Sequence, residues 1–335
     1  MPNRSPRTLT FAVGTIHRPP WLMGDRREDA MTRPRQSADT PSLTATVPRQ
    51  FVHRAALAET FLTGWERTEA DRFTVCAQWP RAHGLHVSPD WCSYDPLLVV
   101  ETVRQAGTLI MHTEYGVPLD RQFVLNAFEV TTDPHRLEVG PVPAEPTVEL
   151  DFTEVRYRGG QPAACRYSAR VLCCGEQAAT ADVAFTCVGE AVYRRLRGGR
   201  TPGTVTAVPL PPGLPPQVVD RALPTDVVLA LPGLDPGAPG GSWQLRVNTA
   251  HPVFFDHPLD HVPGMLLLEA ARQAARFALP GKYAPSAYRA VFHRYAELDE
   301  PVWIEARDEG GGHLQVVGVQ RESAVFECGV DAAAG

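Results

Sequence analysis

The stretch Glu101-Thr102-Val103-Arg104-Gln105-Ala106 decides the fold, because the chain repeats it. It returns 168 residues later as Glu269-Ala270-Ala271-Arg272-Gln273-Ala274. The same offset separates His83 from His251. A repeat of this length indicates a duplicated domain and not a solenoid, whose units are much shorter.

Each copy continues an apolar run, Leu97-Leu98-Val99-Val100 in the first and Met265-Leu266-Leu267-Leu268 in the second. Both copies are therefore expected on buried helices. The Glu, Arg and Gln of each copy stand at i, i+3 and i+4, so they share one helix face. Charges inside a buried helix are costly, and a chain that places them there twice is expected to use at least one of the two sites.

Composition excludes several classes of protein. A chain of 335 residues is long enough for two domains. A net charge of −6 argues against nucleic-acid binding by the whole molecule, and no apolar run approaches the roughly 20 residues that span a membrane. The seven Cys form no C-x-x-C pair and predict reduced thiols. We expect a cytoplasmic monomer or homodimer without signal peptide, membrane or nucleic-acid partner.

The order of predicted elements is the same in both copies: a strand, a long buried helix, then several antiparallel strands. Asp95-Pro96 predicts the start of the first helix, with Pro96 in its first turn. The class is therefore α+β. The predicted boundaries are a disordered leader at 1–46, a first repeat at 47–197, a linker rich in Pro and Gly at 198–217, and a second repeat at 218–331.

Residues 254–273, from Phe254 to Gln273, resemble the Phe-Phe, His, Pro-Gly and Leu-Glu-Ala segment of hotdog β-hydroxyacyl-ACP dehydratases. The stretch between His and Pro-Gly is about two residues shorter here, and an Arg precedes the Gln. These departures fit a more specific family. The chain closely resembles the A-factor biosynthesis hotdog family, the AfsA-type γ-butyrolactone and butenolide synthases, over roughly residues 50–330. Further matching segments are Val52-His53-Arg54 with Glu59, Asp95-Pro96-Leu97-Leu98, and Tyr115-Gly116-Val117-Pro118.

The resemblance implies a double hotdog. We expect the two repeats to pack as a pseudo-dimer, with their long helices side by side and their sheets continuous. The resemblance also implies an acyltransferase that joins a β-ketoacyl group, carried on the phosphopantetheine of acyl carrier protein, to the hydroxyl of dihydroxyacetone phosphate. The product is a precursor of a γ-butyrolactone, butenolide or furan signal that controls antibiotic production. No cofactor and no metal are expected.

This chemistry suggests roles for the repeated residues. Glu101 or Glu269 is expected to be the base, since burial raises the pKa of a carboxyl group. By analogy with the dehydratases, His257 is expected to polarise a carbonyl and to face Glu101. Arg104 or Arg272 is expected to hold the phosphate. The remaining candidate substrate-binding residues are Gln105, Gln273, His261, Asp95 and Gly264, the last at a helix start whose amides could hold the thioester oxygen.

Other interpretations stay open. Each Glu and Arg could simply pair and support a buried face. His257 and His261 could form a metal pair, which Pro258 and Pro263 disfavour by interrupting a helix. A β-hydroxyacyl dehydratase or thioesterase has no phosphate to hold, and a non-catalytic ligand-binding protein is a third class.

The two copies also differ in their surroundings. Asp95 would repel a phosphate, so we expect one productive site, lined mainly by the His segment of the second repeat. A basic cluster precedes the linker and comprises Arg194, Arg195, Arg197 and Arg200. It is either a binding surface for acyl carrier protein or a solvated strand end or loop.

Overall fold

The computed structural model describes residues 45–232, 242–279 and 283–334. They belong to one compact unit, Leu43–Gly335. Residues 1–44 of the predicted leader lie outside the described residues. No helix in the described part of the chain is long and apolar enough to cross a membrane.

The first repeat contains six strands and two helices. In chain order they are β1 (Leu62–Glu69), β2 (Arg72–Ala77), α1 (Pro96–Thr113), β3 (Gln122–Thr132), β4 (Thr147–Arg158), β5 (Gln161–Cys173), β6 (Glu176–Val188) and α2 (Glu190–Leu196). Two short 3-10 turns precede them, Arg49–Val52 and Leu57–Glu59.

Helix α1 begins where the sequence predicts. The Asp95 side chain accepts a hydrogen bond of 3.0 Å from the Leu97 amide, and Pro96 occupies a position with no amide to satisfy. The helix is buried along almost its whole length. Gly107 allows the Tyr167 ring to approach the helix so closely that an added Cβ would lie 2.3 Å from the phenol oxygen. The Tyr167 hydroxyl donates to the Val103 carbonyl at 3.0 Å.

In its described residues, the second repeat contains one long helix and five strands. They are β7 (Ser242–Gln244), α3 (Gly264–Ala278), β8 (Tyr283–Phe292), β9 (Trp303–Gly310), β10 (His313–Gln320) and β11 (Ser323–Ala334). Two 3-10 turns again precede them, Pro216–Val219 and Pro224–Asp226.

A single antiparallel sheet joins the two repeats. Its strand order is β1-β2-β4-β5-β6-β3-β8-β11-β10-β9-β7. The junction lies between β3 and β8, where Ala127–Thr131 pairs with Ala287–Val291. Helices α1 and α3 contact each other as well as the sheet. The continuous sheet predicted for a double hotdog is confirmed.

Strand β7, at one edge of the sheet, is limited to Ser242–Gln244. Strand β1, at the other edge, pairs with β2 through Leu62–Glu69. One local prediction needs correction. The segment that carries Arg194 and Arg195 is helical, because both residues lie in α2.

Candidate functional site

The Glu101 carboxylate is fully buried and surrounded by donors. Arg54 lies 2.6 Å from Oε1 through Nη2. Arg104 grips both oxygens, with Nη2 at 2.7 Å and Nε at 2.9 Å. The Gln105 amide donates to Oε1 at 2.7 Å. Glu101 is therefore a fixed anion between two guanidinium groups. Glu101, Arg54, Arg104 and Gln105 are called the first cluster below.

The expected rise in the pKa of Glu101 is wrong. Burial alone would raise this pKa, but the charges of Arg104 and Arg54 outweigh it, together with the hydrogen bonds from Arg104 and Gln105. The pKa of Glu101 lies well below its ordinary value. A carboxylate held in this way is a weak proton acceptor, so its geometry fits orientation of the two arginines better than proton transfer.

Arg104 keeps unused binding capacity. Its side chain is 24% exposed, against 6% for Arg272. Nε and Nη2 bind Glu101, and Nη1 has no hydrogen-bond partner among the described residues. Arg54 is less available, because Nη1 donates to the Val253 carbonyl at 3.1 Å and its other nitrogens face Glu101. Arg104 can accept a further anion without losing an existing contact.

Glu269 occupies the equivalent place in the second repeat and is also fully buried. Arg221 grips its carboxylate, with Nε at 2.8 Å and Nη2 at 2.5 Å. Arg221 also reaches the first repeat, where Nη1 donates to the Leu85 carbonyl at 2.8 Å and lies 3.3 Å from Asp95. Arg272 approaches Glu269 only to 3.8 Å. Glu269, Arg221, Arg272 and Asp95 form the second cluster, in which Arg221 is the main partner of the glutamate.

Every nitrogen of the Arg272 guanidinium is engaged. Nε lies 2.5 Å from Asp95, Nη1 donates to the Val219 carbonyl at 3.1 Å, and Nη2 lies 3.4 Å from the Asp220 carboxylate. The Asp95 carboxylate is buried, which by itself raises its pKa, but Arg272 and Arg221 lower that pKa below its ordinary value. Asp95 thus neutralises this cluster and does not act as an isolated negative group.

Gln105 and Gln273 are buried and bound entirely within the protein. The Gln105 amide nitrogen donates to Glu101 and to the Glu59 carbonyl, and its oxygen accepts from the Phe61 amide. Gln273 repeats this pattern with Glu269, Asp226 and Val228. Both side chains therefore hold their glutamates and have no donor left for a ligand, contrary to the expected substrate contact.

Sequence reasoning did not assign Arg54 or Arg221 to the site. Each follows a residue with left-handed backbone, His53 at φ 53° and Asp220 at φ 56°, which in turn follows a 3-10 turn. The signal was present as Val52-His53-Arg54 and Val219-Asp220-Arg221, in which Val and Arg recur with an offset of 167. It is too short to stand out by periodicity.

The second repeat adjoins the first cluster. Asp256 accepts hydrogen bonds from the Ala55 and Ala56 amides at 2.5 and 2.8 Å. The neighbouring His257 lies near Asp256, with 3.4 Å between Nδ1 and Oδ2, and it is 43% exposed. It is close enough to His53 to contribute to the lowered pKa of that ring. The structure therefore brings the His257 segment close to Arg54, on the Glu101 side of the molecule.

His261 belongs to a different cluster. Its Nδ1 lies 2.6 Å from Asp260, and its ring packs edge-on against Tyr295. Asp260 in turn accepts from Tyr193 at 2.7 Å and from Arg197 at 2.9 Å. His257 and His261 have separate partners, which disfavours both a metal pair and a shared role in binding substrate.

Gly264 begins helix α3, and its place is explained by packing. A Cβ at this position would lie 3.1 Å from the Phe292 ring. Pro263 precedes it without a side-chain cap, so the first amides of the helix are not capped from the sequence side. A role for these amides in holding a thioester oxygen stays a prediction.

The basic cluster is largely neutralised. Arg197 is buried and binds Asp260 and Glu297, with Nη2 2.7 Å from the latter. Arg200 lies 2.8 Å from Asp299, and Arg194 pairs with Glu190 one helical turn away. Three of the four arginines are therefore paired with carboxylates, which disfavours the open positive surface expected for acyl carrier protein.

One group of side chains in the described residues has the composition of a metal site: Glu59, His83 and His86. Nδ1 of His83 accepts from the Leu85 and His86 amides, so its Nε2 carries the proton and faces Glu59 at 3.3 Å. A protonated nitrogen is not a ligand. His251 repeats this arrangement with Asp226, and Phe254 stands where His86 would. These hydrogen bonds indicate that the His83 ring stabilises the conformation of its own loop.

Comparison with known proteins gives the family. The model of the A-factor biosynthesis hotdog domain matches residues 35–189 and 204–326. A 2-oxo-3-(phosphooxy)propyl 3-oxoalkanoate synthase from Streptomyces virginiae is 46% identical over 292 residues, which cover 85% of this chain and 97% of the relative. A protein of the same name from Streptomyces coelicolor is 37% identical, with 84% and 89% covered. Among solved structures, a 12:0-ACP thioesterase from Umbellularia californica is similar at 14% identity and a TM-score of 0.47, covering 81% of this chain and all of the other. The chain belongs to the A-factor biosynthesis hotdog family.

Proposed function

We propose that this protein is an acyltransferase that joins a β-ketoacyl group to the free hydroxyl of dihydroxyacetone phosphate. The name shared by the two relatives describes this ester, a 3-oxoalkanoate on a 2-oxo-3-(phosphooxy)propyl group. The donor is a thioester. The hydroxyl oxygen forms the new bond to the acyl carbon, the carbon–sulfur bond breaks, and the hydroxyl proton ends on the released thiol.

The main support for this proposal is the partly exposed guanidinium of Arg104. A phosphorylated acceptor needs a fixed cation with free N–H groups. Nη1 of Arg104 is unoccupied within the described residues, while Glu101 fixes the orientation of the side chain through Nε and Nη2. No other carboxylate among the described residues lies within 4.0 Å of Arg104. The phosphate is expected to bind here.

The second cluster is unsuited to the same role. Arg221 and Arg272 face Glu269 and Asp95, and Asp220 adds a third carboxylate that also pairs with Arg276. Positive and negative groups are balanced, and the central charges are almost fully buried. A phosphate would have to displace an existing ion pair, which costs several kcal/mol when the pair is buried.

His257 is the proposed group that polarises the thioester carbonyl. It is exposed beside Asp256 and faces the first cluster from the other repeat. An imidazole N–H can stabilise the oxyanion that forms when the hydroxyl attacks. The donor is proposed to arrive on the phosphopantetheine of acyl carrier protein, in line with the family resemblance.

Incubation with a β-ketoacyl thioester and dihydroxyacetone phosphate, followed by mass spectrometry, tests the proposal. The expected product is the phosphorylated ester, formed together with one free thiol. Release of thiol with only the free β-keto acid would instead identify a thioesterase. Comparing an acyl carrier protein thioester with an N-acetylcysteamine thioester tests the carrier separately, and kcat/KM should be higher for the carrier-bound donor.

A further inference from the structure

The proposed transfer needs a group that accepts the hydroxyl proton, and Glu101 is poorly placed for this. Its two oxygens already receive hydrogen bonds from Arg54, Arg104 and Gln105. Protonating it would leave two guanidinium groups without their counter-ion. The base is therefore expected among neighbouring groups that have a free lone pair.

His53 and His112 form a directed hydrogen-bonded pair beside this cluster. Nδ1 of His112 lies 2.7 Å from the Val117 carbonyl oxygen, which can only accept, so Nδ1 carries a proton. In a neutral ring Nε2 of His112 is then an acceptor. It lies 2.8 Å from Nε2 of His53, so Nε2 of His53 is the donor. These two contacts leave Nδ1 of a neutral His53 unprotonated.

His53 is also positioned at the site. It directly precedes Arg54, and Arg104 reaches back to the Val52 carbonyl at 3.5 Å. His53 as a residue is half-buried, and its ring packs edge-on against Phe123, with centroids 5.1 Å apart. Among the described residues, Nδ1 of His53 has no hydrogen-bond partner.

Burial, together with the neighbouring charges, keeps His53 neutral. Burial, then His112, Arg104 and His257, lower the pKa of His53 to about 3. Glu101 in the first cluster and the adjoining Asp256 are the nearby carboxylates, and both are occupied by other donors. A phosphate bound to Arg104 would offset one of the charges that repel a proton from His53, so the ring should become more basic when the acceptor binds.

We infer that His53 is a further catalytic residue, whose Nδ1 removes the hydroxyl proton of the acceptor, and that His112 is a positioning residue that fixes the tautomer. As the hydroxyl oxygen attacks the thioester carbon, its proton passes to Nδ1 of His53. When the carbon–sulfur bond breaks, the same proton passes to the departing thiolate. No other reactant is required. This inference rests on the proposed function.

The second repeat indicates how to remove the imidazole without damaging the fold. Asp220 occupies the equivalent left-handed position, at φ 56°. Asn and Gly both tolerate this backbone, so His53→Asn and His53→Gly should fold. The control is His135→Asn, on an exposed turn.

Both His53 variants should lose about 100-fold or more in kcat, the usual contribution of a general base. The KM for dihydroxyacetone phosphate should change less than threefold, because Arg104 remains. Added imidazole should raise the kcat of His53→Gly at least tenfold. The kcat of His135→Asn should match that of wild type. A kcat within threefold of wild type in either His53 variant, or a loss that imidazole leaves unchanged, overturns the assignment.

A second measurement does not depend on turnover. Nitrogen-15 NMR of the histidine rings should show His53 protonated at Nε2 and His112 at Nδ1 near pH 7. His112→Phe should allow His53 to exchange between tautomers. Finding His53 protonated at Nδ1 in the wild type overturns the inference, whereas absence of ester formation by the wild type overturns the proposed function.

Discussion

Arg272 and Asp95 come from different repeats, yet Nε of Arg272 lies 2.5 Å from the Asp95 carboxylate. The same Asp95 caps helix α1 through the Leu97 amide. One side chain therefore fixes the start of the first helix and neutralises the arginine of the second. Arg104, the counterpart of Arg272, has no such partner from the other repeat among the described residues.

The first prediction concerns Arg104. Arg104→Ala should raise the KM for dihydroxyacetone phosphate roughly 30- to 150-fold with a smaller effect on kcat, because a charge-assisted contact contributes about 2–3 kcal/mol. Steady-state kinetics at saturating thioester measure this. Arg158→Ala, on an exposed strand end, is the control and should be unchanged. A wild-type KM in the Arg104 variant would show that the phosphate binds elsewhere.

Arg272→Ala should act on stability. Removal of this guanidinium leaves Asp95 buried without its nearest cation, and breaking a buried ion pair costs about 3–5 kcal/mol. Chemical denaturation should show a lowered free energy of unfolding, whereas Arg104→Ala should cost less because its side chain is partly exposed. Equal destabilisation by the two variants would argue against the closed second cluster.

Glu101→Gln distinguishes a carboxylate that only orients the neighbouring arginines from one that acts as the general base. If Glu101 only orients Arg54 and Arg104, kcat should fall less than about tenfold, because the substituted amide keeps the shape and its one oxygen still accepts hydrogen bonds from the arginines. A general base would lose roughly 100- to 10,000-fold. The measurement is kcat on the purified folded variant, and a loss in the larger range would restore Glu101 as the base.

His86 should make the protein sensitive to acid. Burial and His83 lower its pKa from 6.5 to about 3, and neither ring nitrogen has a hydrogen-bond partner among the described residues. Folding therefore favours the neutral ring. Its stabilising contribution is complete above about pH 6.5 and is lost as the pH falls toward 3, with about 2 kcal/mol already lost at pH 5.

Replacing His86 by the residue of the second repeat should remove this dependence. Phe254 stands at the equivalent place, so the substitution is His86→Phe. This variant should match or exceed wild-type stability at pH 7 and exceed it by about 2 kcal/mol at pH 5. Unfolding curves at both pH values measure the difference. A wild-type pH dependence in the variant would mean that His86 is not the acid-sensitive group.

The local elements and the duplication could be read from the sequence because their signals are local. Asp95-Pro96 predicts the start of α1, and the Glu-Arg-Gln repeat identifies both buried helices. The shared sheet followed from the equivalence of the two repeats. These features depend on neighbouring residues or on similarity between segments.

The charge balance of each cluster could not be predicted, because it depends on contacts between distant residues. Arg54 lies 47 positions before Glu101, and Arg221 lies 48 positions before Glu269. Burial alone predicts a raised pKa for Glu101. The charges of Arg104 and Arg54 together, with the hydrogen bonds from Arg104 and Gln105, reverse the direction. The two copies differ in charge balance because the Asp95 carboxylate contacts Arg272, and this contact exists only in the folded protein.

A crystal structure with dihydroxyacetone phosphate bound tests the proposed phosphate site most directly. The phosphate is expected to contact Nη1 of Arg104, with the hydroxyl on the side of His53 and His257. A phosphate bound to Arg272, with the Asp95 contact broken, would contradict this expectation.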